Sequence, residues 1–355
     1  MSSVTIGVIG TAKNTGKTTT AIEIMKEALE SKLPLAVTGI GYDGEEIDNV
    51  TFLPKPRYNI HKRVIIATAE ECGKTANAKL EILKKTDIDT TLGKVTIYRV
   101  KEAGTIVLAG PNTGRGVSSV TRVLRNMGAK LVIVDGSINR IAPMAVVNGL
   151  VLSTGAAREA DIRKLALDTS NIVSVFDLPM VCNNSAAECT TITLFQENGR
   201  KLELPFGSLL TVVDSEGVAE KCDKKTKTIV IPGVAEAESL MHLVKTLGND
   251  VCRKTIVFHD PTKLLVNDCH DIIADCISKI KSHGGEAAYA KALRLFAITI
   301  NPFYPRYSNV YQDYEPAYVD RDELLEKISQ ASSVPVIDVL RGNGRKIIDI
   351  VYRRK

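Results

Sequence analysis

The sequence predicts an α/β protein: a doubly wound, mostly parallel sheet with a second, smaller α/β domain. Two observations carry this. Short β-branched runs alternate with stretches of helical periodicity along nearly the whole chain, which is the grammar of parallel βαβ units. The chain also has 355 residues, too many for most single cores, so the length predicts two domains or three. With 44% hydrophobic and 25% charged residues, the composition is that of a folded globular chain and not of a disordered one.

The elements follow in order. Val4 to Ile9 reads as a strand, Lys17 to about Leu29 as a helix and Leu35 to Thr38 as the next strand, a complete βαβ unit. The Lys-, Glu- and Ala-rich stretch from Ala69 to Leu92 predicts helix outside the sheet. Val64 to Thr68, Val95 to Val100, Thr105 to Ala109, Leu131 to Val134, Leu150 to Ser153 and Ile172 to Phe176 predict six more strands of the same sheet. Between them, Val117, Val120 and Leu124 share one helical face that Gly128 ends, and Arg158 to Leu167 predicts another helix. Asn183 to Leu204 is polar and reads as a hairpin turning at Gly199 and Arg200. The alternation then resumes. Leu209 to Val213, Thr228 to Ile231, Thr255 to Phe258, Ala297 to Ile300 and Val336 to Val339 predict strands, with helices at Ala235 to Leu247, Asp271 to His283 and Asp320 to Gln330. The predicted organisation is therefore a nucleotide-binding domain over 1–182, a bridging hairpin over 183–204 and a C-terminal α/β domain over 205–355.

Composition narrows the function classes. The formal net charge of +5 is small for this length, no basic run occurs and Trp is absent, which argues against nucleic acid as a partner. The most apolar runs, Leu131 to Val134 and Ile229 to Ile231, fall far short of the ~20 residues of a membrane-spanning helix. Seven cysteines at irregular spacing, with a strand predicted directly after the first residues, predict reduced thiols in the cytoplasm. Cys269, His270 and Cys276 invite a metal reading, but no second CxxC-type pair accompanies them, and buried structural thiols are the expectation.

The chemistry concentrates at Gly10 to Thr19, GlyThrAlaLysAsnThrGlyLysThrThr. A buried-type strand, a glycine-bounded loop and Gly16-Lys17-Thr18 at a helix start are what phosphate binding requires. Loop and first-turn amides face the anion, the helix dipole adds positive potential, and Gly16 admits a close backbone approach. Lys13, Asn14, Thr15, Gly16, Lys17, Thr18 and Thr19 are the expected nucleotide-binding residues, with Lys17 on the β and γ phosphates and the Thr18 hydroxyl on Mg²⁺. The reading is thus a P-loop fold of the NTPase type that binds ATP and Mg²⁺. One departure stands out: Thr11 occupies the slot of the usual first glycine, with Gly10 one place earlier. No Asn-Lys-x-Asp guanine motif is present, which favours ATP over GTP.

Further groups are expected at the same edge. Asp135 follows the run LeuValIleVal, as an acid that holds the metal from a strand end should. Asp43, in GlyIleGlyTyrAspGlyGluGlu, is the expected second acid, holding metal or orienting water. Arg115 and Arg158, in glycine-containing turns after predicted strands, are candidates to meet phosphate. In the second half, His259-Asp260-Pro261, Asn301-Pro302 and Asp338 end predicted strands and, if those strands are neighbours, would meet at one edge. Phe303 to Tyr318 is rich in Tyr and Pro and reads as an ordered binding loop that suits a partner surface.

Lys13-Asn14-Thr15-Gly16-Lys17-Thr18-Thr19 resembles the loop of the molybdopterin-guanine dinucleotide biosynthesis adaptor family. That resemblance covers only about the first 40 residues. It implies the P-loop class that includes dethiobiotin synthetase and the dimeric partitioning ATPases, hence a homodimer as the expected assembly. The partitioning branch's signature lysine falls at Ala12, so Lys13 is one place off.

A second resemblance spans most of the chain. Thr38 to Asp48, Ala67-Thr68-Ala69, Leu108 to Pro111, Leu131 to Gly136, Thr154 to Ala157, Ile298 to Pro302 and Val334 to Val339 resemble a family encoded beside adenosylcobalamin-dependent lysine and ornithine aminomutases. That resemblance implies an ATP-driven reactivase, or chaperone, subunit with slow basal hydrolysis. It would open an inactivated mutase so that damaged cobalamin leaves, alone or with a co-encoded ATPase subunit. The alternative is an ATP-dependent ligase or kinase of the dethiobiotin synthetase kind, with a small substrate between the domains.

Overall fold

The computed structural model describes residues 2–42, 58–181, 184–266, 268–308 and 313–353. The chain opens with β1 (Val4–Gly10), α1 (Lys17–Glu30) and β2 (Leu35–Gly39), as the sequence predicts. β3 (Gly41–Tyr42), β4 (Tyr58–Ile60), β5 (Ile65–Ala69), α2 (Glu70–Lys74), β6 (Lys79–Thr90), β7 (Gly93–Glu102), β8 (Gly104–Ile106) and β9 (Ala109–Gly110) follow. Then come α3 (Gly114–Asn126), β10 (Leu131–Ser137), β11 (Gly149–Gly155) and α4 (Ile162–Phe176). The middle of the chain forms α5 (Asn184–Ala187), β12 (Thr193–Gln196), β13 (Lys201–Glu203), α6 (Val212–Lys221), β14 (Thr226–Ile231), α7 (Ala237–Leu247), β15 (Thr255–Phe258), α8 (His270–Ser282) and β16 (Glu286–Tyr289). It ends with β17 (Arg294–Asn301), β18 (Phe303–Ser308), β19 (Asp313–Tyr318), α9 (Arg321–Gln330), β20 (Val336–Ile337) and α10 (Gly344–Tyr352).

Two compact units result, one from 1–167 with 294–355 and one from 168–293. The division differs from the predicted boundaries at 182 and 205, because β17 and β20 belong to the first sheet: β17 runs parallel to β11, and β20 parallel to β17. Both halves use the same alternating pattern, and hydrophobic periodicity does not say which sheet a strand joins.

The first unit holds a nine-stranded sheet in the order β20-β17-β11-β1-β10-β2-β5-β7-β6. From β20 to β5 every pairing is parallel, while β7 and β6 add antiparallel. Strands covered on both faces should read as continuous apolar runs, and β2 and β11 are buried at every position. Ile6, Val8, Leu35, Val37 and Ile133 cluster with α1 (Ala21, Ile24, Met25, Ala28) and α10 (Ile347, Ile348, Val351). The alternate positions Ala36 and Val132 join Val120 and Leu124 of α3 in another cluster. Helices therefore cover both faces, and each fully buried Ile or Leu contributes about 1.5–3 kcal/mol.

The second unit is a five-stranded sheet, β13-β12-β14-β15-β16. β14, β15 and β16 are parallel, with α7 and α8 as crossovers, and β12 pairs antiparallel with β13 and β14. The predicted hairpin is thus present as β12 and β13, but it is an edge of this sheet. Among the described residues no helix is long and apolar enough to cross a membrane.

Four element predictions are overturned. Ala69 to Leu92 is a five-residue helix followed by the twelve-residue β6. The ladder of β6 on β7 shifts register between Ile82 and Lys84, and the extra residue of a bulge breaks the two-residue period. Leu80 and Leu83, both half-buried, end up three apart, a helix-like spacing. Ile172 to Phe176 belongs to α4, where Leu165, Thr169 and Ile172 are fully buried at helical spacing; β-branched propensity is a few tenths of a kcal/mol and yields to burial. Thr105 to Ala109 splits into β8 and β9, which pair with β4 and β3 and not with the main sheet. In Leu209 to Val213, Leu209 makes one bridge to Ala235 and Thr211 then starts α6 through a capping box with Asp214.

Candidate functional site

β1 delivers the chain to the carboxyl edge of the parallel strands at Gly10, and α1 carries it back from Lys17. In the turn between them Asn14 has φ 63° and Gly16 φ 90°, left-handed conformations that Asn and Gly tolerate best. A Cβ on Gly16 would also stand 3.1 Å from Asn301 Cβ. The loop is tied down by Thr15 Oγ1 donating to Ala12 O at 2.9 Å, by Thr11 N on Ser153 O at 2.9 Å and by Thr11 Oγ1 on Thr154 Oγ1 at 3.2 Å. Beneath it, Thr20 Oγ1, Ser153 Oγ and Thr299 Oγ1 form a buried triangle with sides of 2.7, 2.8 and 3.1 Å, joining α1 to β11 and β17.

The N-terminus of α1 lacks the side-chain cap that α3, α6, α7 and α9 carry, as does that of α10. Gly16 offers no side-chain cap and the first turn holds no acid. The first intrahelical bond is Thr20 N to Gly16 O, so the amides of Lys17, Thr18 and Thr19 lie ahead of it, at the positive end of the helix dipole. Lys17 Nζ sits 3.2 Å from Asp135 Oδ2, the two side chains 15% and 9% exposed. Asp135 lies on β10 opposite Val8 of β1 and Gly39 of β2, and the strand continues to Ser137. The site therefore offers backbone amides, an ammonium, the hydroxyls of the half-buried Thr18 and Thr19 and one buried carboxylate.

Of the expected site residues, Lys13 is exposed on the loop, Asn14, Gly16 and Lys17 are half-buried and Thr15 is buried. Asp43 lies outside the described residues. Arg115 is exposed in the first turn of α3, whose N-cap Thr113 accepts from Gly116 N at 3.1 Å, and Arg158 is half-buried just beyond β11. Asn301 Nδ2 donates to Asn14 O at 2.8 Å. The sequence marked Asn301 as a strand end, but its partner on the loop was not visible, nor were the hydroxyls of Thr20, Ser153 and Thr299.

The expected meeting of His259-Asp260, Asn301 and Asp338 does not form one edge. Asn301 ends β17, and Asp338 follows β20 in the first sheet, whereas His259 and Asp260 follow β15 in the second. Strand ends alone do not reveal which sheet a strand enters. The buried Asp260 carboxylate accepts from His259 Nδ1 at 2.7 Å and from Thr262 N and Oγ1 at 2.9 and 2.5 Å. Burial opposes its ionisation, but His259, Lys263 and Thr262 together hold its carboxyl below the usual range.

Among the described residues no three His, Cys, Asp or Glu gather as a metal site. Burial pushes the Cys276 thiol up to about 12, as in a buried structural thiol. His270 Nδ1 is engaged by Asp168 Oδ1 at 2.9 Å.

The Tyr-rich stretch is a hairpin, β18 with β19, whose cross-strand pairs Phe303–Tyr318, Pro305–Pro316 and Tyr307–Tyr314 share one face by the two-residue period. The rings of Phe303 and Tyr318, and of Tyr307 and Tyr314, meet edge to face at 5.8 and 5.4 Å. Tyr307 and Tyr318 remain 52% and 66% exposed. No protein-family model and no curated protein matches the chain.

Proposed function

We propose that the turn from Gly10 to Thr19 is a P-loop that binds the phosphates of a nucleoside triphosphate, ATP by preference, with Mg²⁺. The observation that carries this reading is the uncapped N-terminus of α1 facing the Lys17–Asp135 pair. A helix start with no side-chain cap and no acid turns its first backbone donors and the positive end of its dipole toward an incoming anion. Lys17 would exchange Asp135 for phosphate oxygens. The Thr18 hydroxyl and the Asp135 carboxylate are hard oxygen donors of the type Mg²⁺ takes, and they are the residues that would hold it. The metal would supply charge neutralisation on the phosphates.

The proposed use of that nucleotide is the one the whole-chain resemblance implies: an ATP-driven reactivase subunit for an adenosylcobalamin-dependent aminomutase, with slow basal hydrolysis. The exposed aromatic and proline face of the hairpin supports a role with a protein partner, since clustered apolar surface of this kind marks interaction sites. The test is reactivation. A mutase inactivated with hydroxocobalamin is incubated with this protein, any co-encoded subunit, Mg-ATP and free adenosylcobalamin. Activity should return with ATP and not without it, and ATP should change mutase affinity by roughly 5–150-fold. Equal recovery with and without ATP sinks the reactivase reading. Hydrolysis that appears only with a small-molecule acid or alcohol would favour a ligase or kinase of the dethiobiotin synthetase kind.

A further inference from the structure

Asn301 ends β17 where three turns of the first unit converge, and its side-chain nitrogen, side-chain oxygen and carbonyl each serve one of them. Nδ2 donates to Asn14 O at 2.8 Å, Oδ1 accepts from Phe303 N at 3.2 Å, and its carbonyl accepts from Ala156 N at 3.0 Å. Glycines make room for it: a Cβ on Gly16 would crowd Asn301 Cβ at 3.1 Å, and one on Gly155 would strike its carbonyl oxygen. Two positions earlier on the same strand face, Thr299 bonds Thr20 of α1, so residues 299 and 301 both read the loop–helix junction and residue 303 begins the hairpin.

The carbonyl that Nδ2 holds belongs to Asn14, one of the two left-handed residues of the loop. Turns of this kind aim successive backbone amides at one point, and a left-handed non-glycine residue persists only when its surroundings hold it. Both ends of the Asn301 amide meet backbone groups, which assigns it to holding the loop.

We infer that Asn301 is a positioning residue: its donor holds the phosphate loop in the form that cradles an anion, and its acceptor ties that loop to the aromatic hairpin, so that nucleotide occupancy reaches the hairpin. The nucleotide half of this rests on the P-loop reading; the loop-holding half does not.

Two substitutions in the full chain separate the roles. Asn301→Asp keeps the acceptor for Phe303 N but removes the donor and sets a carboxylate against Asn14 O. Asn301→Ala removes both. Hydrogen exchange is followed at the amides of 12–17 and 303–308, without and with Mg-ATP, alongside calorimetric ATP affinity. In nucleotide-free protein, exchange in 12–17 should quicken severalfold in both variants, while the Phe303 amide quickens only in Asn301→Ala. ATP affinity should fall about tenfold in both, a loss of the size of one hydrogen bond. Bound ATP should slow exchange in 303–308 of the unsubstituted protein and not of Asn301→Ala. If the loop amides of folded Asn301→Asp exchange as before, the positioning role is wrong; should that variant not fold, the uncharged Asn301→Ala decides the same point. If the unsubstituted protein binds no ATP, the P-loop reading fails, and the nucleotide-free exchange still decides whether Asn301 holds the loop.

Discussion

The same structural phrase, parallel strand, turn, helix, occurs as β1 to α1 in the first unit and as β14 to α7 in the second, with opposite treatment of the helix end. At α7 the N-cap Glu236 places its own carboxylate on the amides of Glu238 and Ser239 at 2.8 and 3.2 Å. At α1 the N-cap is a left-handed glycine, no acid follows and a lysine opens the helix. The dipole and the orphan amides are common to every helix. The α1 end differs in that the chain withholds its own anion there and sets Lys17 beside the buried Asp135. The α7 end is self-neutralised and its cap serves stability.

The strongest test of this contrast is Lys17→Ala, which should weaken Mg-ATP binding at least ~100-fold, about 2.7 kcal/mol, by calorimetric titration. It also strips a mostly buried carboxylate of its ammonium, so the melting temperature of the nucleotide-free protein should fall and adding Asp135→Asn should restore part of it. Unchanged ATP affinity in a folded variant removes the phosphate-site reading. Asp135→Asn alone should bind nucleotide yet hydrolyse it at least ~tenfold more slowly, about 1.4 kcal/mol of transition-state stabilisation; a wild-type rate in a steady-state phosphate-release assay means that Asp135 does not serve the metal.

Smaller effects sharpen the comparison from the other side. Glu236→Ala should cost about 1 kcal/mol in chemical denaturation and leave ATP affinity alone, since that cap fills only its own helix end; a change in affinity would contradict the division of roles. Least is expected of Asp260→Asn. The Asp260 carboxyl is held below its ordinary value, so its contribution is present above the unfolded pKa of about 3.9 and lost as pH falls through the folded value. Denaturation midpoints measured from pH 6 downward should therefore fall less steeply in the variant, and parallel acid limbs would show that Asp260 contributes nothing through ionisation.

Much of the fold is legible in the amino-acid order. β1, α1, β2, α3, β10, β11 and most of the second sheet announce themselves because each is a continuous apolar run or a regular helical stripe between glycines. The turn before α1 was legible because a buried strand, a glycine-bounded loop and a helix start follow one another within a few residues. β6 was misread because a largely exposed strand rich in Lys and acidic residues has the composition of a surface helix, and Ile172 to Phe176 because β-branched residues in a buried helix look like a strand. Asn301 could be seen as a strand end, but not as the partner of Asn14, since 287 positions separate them.

The amino-acid order by itself determined the α/β class and the strand, glycine-bounded turn and helix that open the chain, because both depend on periodicity and residue chemistry within a few turns of chain. Tertiary structure alone decided that β17 and β20 return to the first sheet, that Lys17 meets Asp135 and that Asn301 closes on the loop. Such pairings rest on which apolar faces bury each other across the fold, and a hydrophobic face carries no label for its distant partner.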